Sequence, residues 1–214
     1  MKICAALFDL DGLMLDTERP FLTALQRKAR EAGWDIPFEL LKNTIGINCR
    51  ASEHYLKEKL GEAFPFKTLR GDVIKEEAAR AEHYGIPRRP GLIQLLDALA
   101  DKKIPAAVAT STDRERALWK LKYGGILERF NIIVCGDEIE NGKPAPDIFL
   151  KAAEKLGEPA ENCAGFEDSP AGLMALAAGG IRSIFIKDLV EPDEAVLATV
   201  WKRLPSLYEA IELF

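Results

Sequence analysis

The sequence predicts an α/β fold, a doubly wound parallel sheet with an all-helical module inserted after the first strand. Three observations predict it. Short apolar runs of strand length recur along the chain. Stretches with apolar residues at spacings of three and four separate most of them, and that alternation is the mark of a parallel sheet covered on both faces. From about Thr17 to Glu82, by contrast, there is helical periodicity and no convincing strand.

Taken in order, the first strand is "ICAALF", which runs out into Asp9-Leu10-Asp11-Gly12. The insert opens with a stripe of Leu22, Leu25, Ala29 and Ala32, stopped by Gly33. It continues through the amphipathic segments "ASEHYLKEKLG" and "GDVIKEEAARAEHYG". Two prolines and two glycines in "YGIPRRPG" then read as a linker. The expected division is a core of residues 1–16 and 84–214 and a helical cap of residues 17–83. Beyond the linker, Leu92, Leu95, Leu96 and Leu99 mark a helix and "IPAAVAT" the second strand. "NIIVC" follows as the third. Ile148, Phe149, Ala152, Ala153 and Leu156 mark a helix closed by Gly157, and "NCAGF" and "IRSIFI" complete the strands.

The chain has 214 residues, 48% of them hydrophobic, enough for one large core or a core with an insert. A net charge of −5 argues against a nucleic-acid partner, which calls for a basic face. No apolar run reaches membrane-spanning length, and the start shows no leader pattern, so a cytoplasmic protein without a membrane partner is expected. Cys4, Cys49, Cys135 and Cys163 are scattered and read as reduced cysteines. His54 and His83 lie in charged helical stretches and read as surface residues; two histidines make a histidine-rich zinc site a poor fit. A monomer or weak homodimer is expected; the oligomeric state, the pathway and the identity of any substrate are not legible.

Ligands of doubly wound sheets bind beyond the carboxyl ends of the strands. Here the first strand ends in Asp9 and Asp11, the second in Thr110 and Ser111, and "NCAGF" in Glu167 and Asp168; Lys143 lies in "NGKPAPD", just ahead of a helix. An Asp-Gly pair alone can mark a surface turn, and Glu167-Asp168 alone can cap a helix. Together, four chain segments bring acids, hydroxyls and one lysine to one edge. Clustered carboxylates need a counter-charge, which a hard divalent cation such as Mg2+ supplies. Helix starts and Lys143 suit a phosphoryl group. One of the paired aspartates can then attack phosphorus while its neighbour acts as general acid and base; Asp9 is assigned the first role and Asp11 the second.

"FDLDG", the "ATS" at Thr110, "GKPAPD" and "FEDSPAG" resemble, in order and spacing, the four signature motifs of the haloacid dehalogenase-like hydrolases. The insert resembles the cap of the subgroup that includes beta-phosphoglucomutase and many small-molecule phosphatases. The resemblance implies a Rossmann-like core, dependence on Mg2+ and an aspartyl-phosphate intermediate. It implies Asp9 as nucleophile and metal ligand, Asp11 as acid/base touching the metal through its backbone carbonyl, and Asp168 completing the metal site. Glu167 would stand beside Asp168, reaching the metal through water or from behind. Thr110, the Ser111 backbone and Lys143 would hold the phosphoryl group, and Asp16 would lie where the chain crosses into the cap. The dehalogenases proper lack the second aspartate, so Asp11 favours phosphorus chemistry. Mutases carry a histidine ten residues after the acid/base aspartate, where this chain has Phe21, and a basic residue shortly after the second motif, where it has Asp113 followed by Arg114. "TIGINCRAS" resembles the substrate-facing cap loop, making Gly46, Asn48 and Arg50 candidate specificity residues. The expectation is a phosphatase for a small phosphorylated metabolite, with a sugar-phosphate mutase as the alternative.

Overall fold

The computed structural model describes residues 2–214. In chain order it runs β1 (Ala5–Phe8), α1 (Glu18–Glu31), α2 (Phe38–Lys42), α3 (Cys49–Leu60), α4 (Phe66–Tyr84), α5 (Leu92–Asp101), β2 (Ala106–Ala109) and α6 (Arg114–Tyr123). There follow β3 (Ile132–Val134), α7 (Asp147–Leu156), β4 (Cys163–Glu167), α8 (Pro170–Ala178), β5 (Arg182–Ile186), α9 (Glu194–Leu197) and β6 (Lys202–Leu204). The strands form one parallel sheet in the order β3-β2-β1-β4-β5-β6. The chain begins in the middle, winds to one edge, crosses back over β1 and winds to the other. Such a reversal opens a crevice at the strand carboxyl ends beside β1.

Side chains alternate across a strand, and both faces of β1 are covered. Ala6 and Phe8 join one cluster with Leu92, Leu95 and Leu99 of α5 and Leu121 of α6. Ala5 and Leu7 join another with Ile148, Phe149 and Ala152 of α7 and Leu176 of α8. Burial on both sides is why the strand sequences are apolar throughout. The Phe8 ring stacks on Phe166, its partner in β4, with centroids 4.6 Å apart. The position of Asp9 at the sheet edge is thereby fixed.

Helices α1 to α4 build a core of their own from Leu22, Leu25, Ala29, Leu41, Leu56, Phe66, Leu69 and Val73. Leu189 and Val190, from the loop after β5, pack against it. Ala32, expected in the apolar stripe, is exposed, because the helix ends at Glu31 and the chain turns away through Gly33. The two chain segments joining this unit to the sheet run side by side. Leu15 bridges Arg88, the Asp16 amide donates to the Pro87 carbonyl, and the Arg89 amide donates to the Met14 carbonyl. Both His54 and His83 are exposed, and all four cysteines are free. Among the described residues, no helix is long and apolar enough to cross a membrane.

Candidate active site

Asp9 follows β1, and its amide donates to the carbonyl of Phe166, so the first acid is tied to the neighbouring strand. It is almost fully buried and pairs with the ammonium of Lys143, which also binds Glu167 Oε1 at 2.5 Å. Lys143 comes from the loop before α7, and its Nζ stands 4.8 Å from the centroid of the Phe149 ring. The other Glu167 oxygen, Oε2, accepts from the amides of Asp168 and Ser169 and from Ser169 Oγ, each at 2.9 Å. Ser169 Oγ in turn accepts from the Gly172 amide and caps α8, with Pro170 at its first position, as the sequence suggests. Glu167 therefore has both oxygens engaged. It is the counter-ion that fixes Lys143, and its carboxylate stands with those of Asp9 and Asp168 in one group, ligand atoms within 4.8 Å of one another.

The second acid has different partners. Asp11 pairs with the ammonium of Lys120 and accepts from Thr17 Oγ1 at 2.5 Å and Thr112 Oγ1 at 2.7 Å. Neither Lys120 nor Thr17 was expected from the sequence, and Thr112 only as one of the hydroxyls at the end of the second strand. Lys120 falls three residues after buried Ala117 and just before buried Leu121, on the covered face of α6. A lysine on such a face needs an acidic partner, and that was the available signal. Thr17 gave none.

The two aspartates are therefore set apart electrostatically. Burial raises Asp9 to about 7, against the pull of Lys143, with the nearby charges of Glu167 and Asp11 adding to the rise. Burial pushes Asp11 the same way, but Lys120 and the two threonine hydroxyls overcome it and hold Asp11 at about 2. Lys143 is kept charged: burial opposes this, and Asp9 and Glu167 prevail. Asp168 is raised well above the usual carboxylate range by burial and by the charges of Glu167, Asp9, Glu18 and Asp188. Its Oδ2 has no hydrogen-bond partner among the described residues.

A cavity of about 100 Å³ lies beside Asp11. Ser111, Thr112 and Lys120 line it from the sheet side, and Phe21, Leu25, Phe66 and Arg70 from the helical insert. Asp9, Lys143 and Asp168 are buried and do not line it. The insert is drawn against the sheet edge by ion pairs between α4 and the start of α6: Arg116 with Glu77, and Arg70 with Asp113 at 3.6 Å. Phe21 faces the cavity with the Arg116 guanidinium 5.8 Å from its ring centre.

The remaining expected residues fall as follows. Thr110 is buried at the end of β2, its hydroxyl accepting from the Thr112 amide at 3.1 Å. Ser111 donates through Oγ to the carbonyl of Gly46 at 2.8 Å, a direct tie between sheet and insert. Gly46 has φ +81°, and a β-carbon there would lie 2.2 Å from Ser169 Oγ, so only glycine allows this approach. Asn48 caps α3 by accepting from the Ala51 amide at 2.9 Å, and its amide nitrogen lies against Gly142, next to Lys143. Arg50 is exposed on the first turn of α3 and is not brought to the cavity.

Residues 3–180 match the haloacid dehalogenase-like hydrolase family. A phosphorylated carbohydrates phosphatase from Thermotoga maritima is 32% identical over 181 residues, covering 85% of this chain and 83% of that one. A probable pseudouridine-5'-phosphatase from Drosophila melanogaster is 31% identical over 195 residues, covering 87% and 83%. Among solved structures, CbbY from Rhodobacter sphaeroides in complex with phosphate superposes with a TM-score of 0.83 at 25% identity, covering 97% of this chain and 96% of that one. A parallel sheet with a helical insert after β1, four motifs meeting at one edge and relatives that are phosphoric monoester hydrolases lead to one assignment: this enzyme belongs to the haloacid dehalogenase-like hydrolases, in their beta-phosphoglucomutase-like branch.

Proposed function

We propose that the protein is a Mg2+-dependent phosphatase of small phosphorylated metabolites, sugar phosphates or compounds like them, working through an aspartyl phosphate on Asp9. The observation that carries this reading is the division of labour between the paired acids. Asp9 sits in a buried charge network with Lys143 and Glu167, while Asp11 stands apart at the cavity with its own cation and two hydroxyls.

The residues fit a hard cation. Asp168 is 2% exposed and keeps an oxygen without a donor beside two further acids. An anionic oxygen buried that way is costly unless positive charge reaches it. Asp9, Asp168 and the backbone carbonyl of Asp11 would hold the ion, with Glu167 next to them and already committed to Lys143. Bound there, Mg2+ would supply positive charge to the phosphoryl oxygens and keep Asp9 ionised.

The chain's own residues then carry the steps. Lys143 pairs with phosphoryl oxygens, helped by the Thr110 hydroxyl and the Ser111 amide. The substrate enters as its phosphate monoanion and passes its proton to Asp11; an Asp9 oxygen then bonds to phosphorus as the ester P–O bond breaks, and the departing alkoxide takes that proton from Asp11. Phosphate charge beside Asp11 opposes the influence of Lys120, which is the direction the acid step requires. Asp11, now ionised, takes a proton from water as that oxygen attacks phosphorus, and the Asp9 carboxylate leaves. The insert excludes bulk solvent during both steps.

Phe21 supports hydrolysis over mutase chemistry, since a benzyl ring can neither accept the proton of an attacking sugar hydroxyl nor hydrogen-bond to orient it. The names of the two relatives support a phosphorylated carbohydrate or nucleoside. A panel of several dozen phosphorylated metabolites, with and without Mg2+, tests the reading. Release of phosphate that disappears in Asp9→Asn is expected. Wild-type turnover by that variant would refute Asp9 as nucleophile, and clean conversion of β-glucose 1-phosphate to the 6-phosphate with little free phosphate would replace hydrolase by mutase.

A further inference from the structure

Asp188 follows β5, one strand beyond the one that carries Asp168, and none of the four motifs includes it. Its side chain is only 6% exposed. One oxygen, Oδ1, accepts from Arg89 Nη1 at 2.9 Å. The other, Oδ2, has no partner, and neither does Asp168 Oδ2. These two oxygens face the same spot. The point that a β-carbon on Gly12 would occupy is 2.3 Å from Asp168 Oδ2 and 3.3 Å from Asp188 Oδ2. Gly12 is the residue after Asp11, so the spot borders the cation site. Two unpartnered carboxylate oxygens buried beside the same glycine are costly, and a proton, a donor or positive charge near them offsets the cost.

We propose that Asp188 is a positioning residue of the cation site, its free oxygen holding a water of the ion's hydration shell across from Asp168. The inference rests on the phosphatase reading above and adds a residue to it. Magnesium retains several of its waters when proteins bind it, and carboxylates that orient such waters govern affinity. Arg89 fixes the Asp188 carboxylate from the opposite side. Its Nη2 also donates to the Lys187 carbonyl at 3.3 Å, and its amide donates to the Met14 carbonyl. Arg89 lies in the segment returning from the helical insert, so Asp188 joins that crossing to the cation.

The test is Mn2+ binding to the whole protein, read as loss of the free-ion electron paramagnetic resonance signal, alongside thermal melting in EDTA. Asp188→Asn preserves shape and can still accept from Arg89. It is expected to weaken Mn2+ binding about tenfold while the melting temperature in EDTA holds or rises. Asp188→Ser, should the first variant fold poorly, is expected to weaken binding at least as much. Asp168→Asn is expected to abolish binding. If Asp188→Asn binds Mn2+ as the wild type does while Asp168→Asn does not, Asp188 serves only its ion pair with Arg89, and the inference falls while the cation site stands. If Asp168→Asn also binds normally, the cation site itself is misassigned and both fall.

Discussion

Lys120→Met isolates the physical difference between the two aspartates. The substitution keeps a long apolar stem in a position where the lysine is 6% exposed and removes only the charge that faces Asp11. Asp11 is held from an ordinary 3.8 down to about 2, which favours its ionised form by roughly 2–3 kcal/mol. Breaking a buried pair by removing one partner costs about 3–5 kcal/mol in general, because the other charge is left stranded. Two threonine hydroxyls still serve Asp11, so the expected loss of stability at pH 8 is about 2–4 kcal/mol. The sign with pH follows. In the wild type the folded value lies below the unfolded one, so this stability is present above the usual carboxylate range and lost as pH falls from about 4 toward 2. In the variant, burial without the counter-charge moves Asp11 upward, and protonation relieves the stranded charge at higher pH. The gap between variant and wild type therefore narrows from pH 8 to pH 5. Urea unfolding followed by circular dichroism in EDTA reads both values. A loss below about 0.5 kcal/mol at pH 8, or an equal loss at the two pH values, would refute the assignment of Lys120 as the partner that keeps Asp11 charged.

Other outcomes are expected on the same grounds. In Gly172→Ala the new β-carbon would lie 1.7 Å from Glu167 Oε1, so the carboxylate must leave Lys143. Turnover of p-nitrophenyl phosphate should fall about 100-fold, and an unchanged kcat would mean that Glu167 does not hold the lysine. Gly46→Ala pays about 1–2 kcal/mol for its positive φ and for the clash with Ser169, loosening the insert from the sheet. Michaelis kinetics should show KM raised about tenfold. Glu18 is raised to about 8 by burial and by the charges of Asp11, Asp9 and Asp188, against Lys120. A folded value above the unfolded one means stability lost as pH rises from about 4.5 through about 8. Glu18→Gln should thus raise Tm at pH 8 in EDTA by about 3 °C and leave it unchanged at pH 4.5; an equal shift at both would show that charge is not the cause. Chelation should abolish turnover and lower Tm, and Mg2+ should restore both, with scanning fluorimetry as the readout.

The central strands were legible because each is sheathed on both faces, so every residue of β1 and most of β2, β4 and β5 had to be apolar. β6 was not expected: it is an edge strand of Lys202, Arg203 and Leu204, mostly exposed, defined only by its pairing with β5. Helix α4 begins at Phe66, one turn and more before the amphipathic stretch that announced it, because Phe66 and Leu69 reach into the core of the insert. In the site, residues at strand ends could be read from chain order. Lys120, Thr17 and Asp188 could not, since each acquires its partner only when α6, the insert or β5 is laid beside β1. Gly46 was expected to face substrate. The structure has it closing the insert on Ser111 and Ser169, a role set by space and backbone angle and invisible to residue type alone.

The adjacent crossing segments, joined at Leu15 and Arg88, give the helical unit a single doorway for departure and return. An excursion there need not disturb any strand, since the sheet order is complete without it. That makes the helical unit a cassette in chain topology: it can be exchanged without breaking a strand, provided the newcomer still offers Asp11 the hydroxyl of Thr17 and Ser111 the close approach of Gly46.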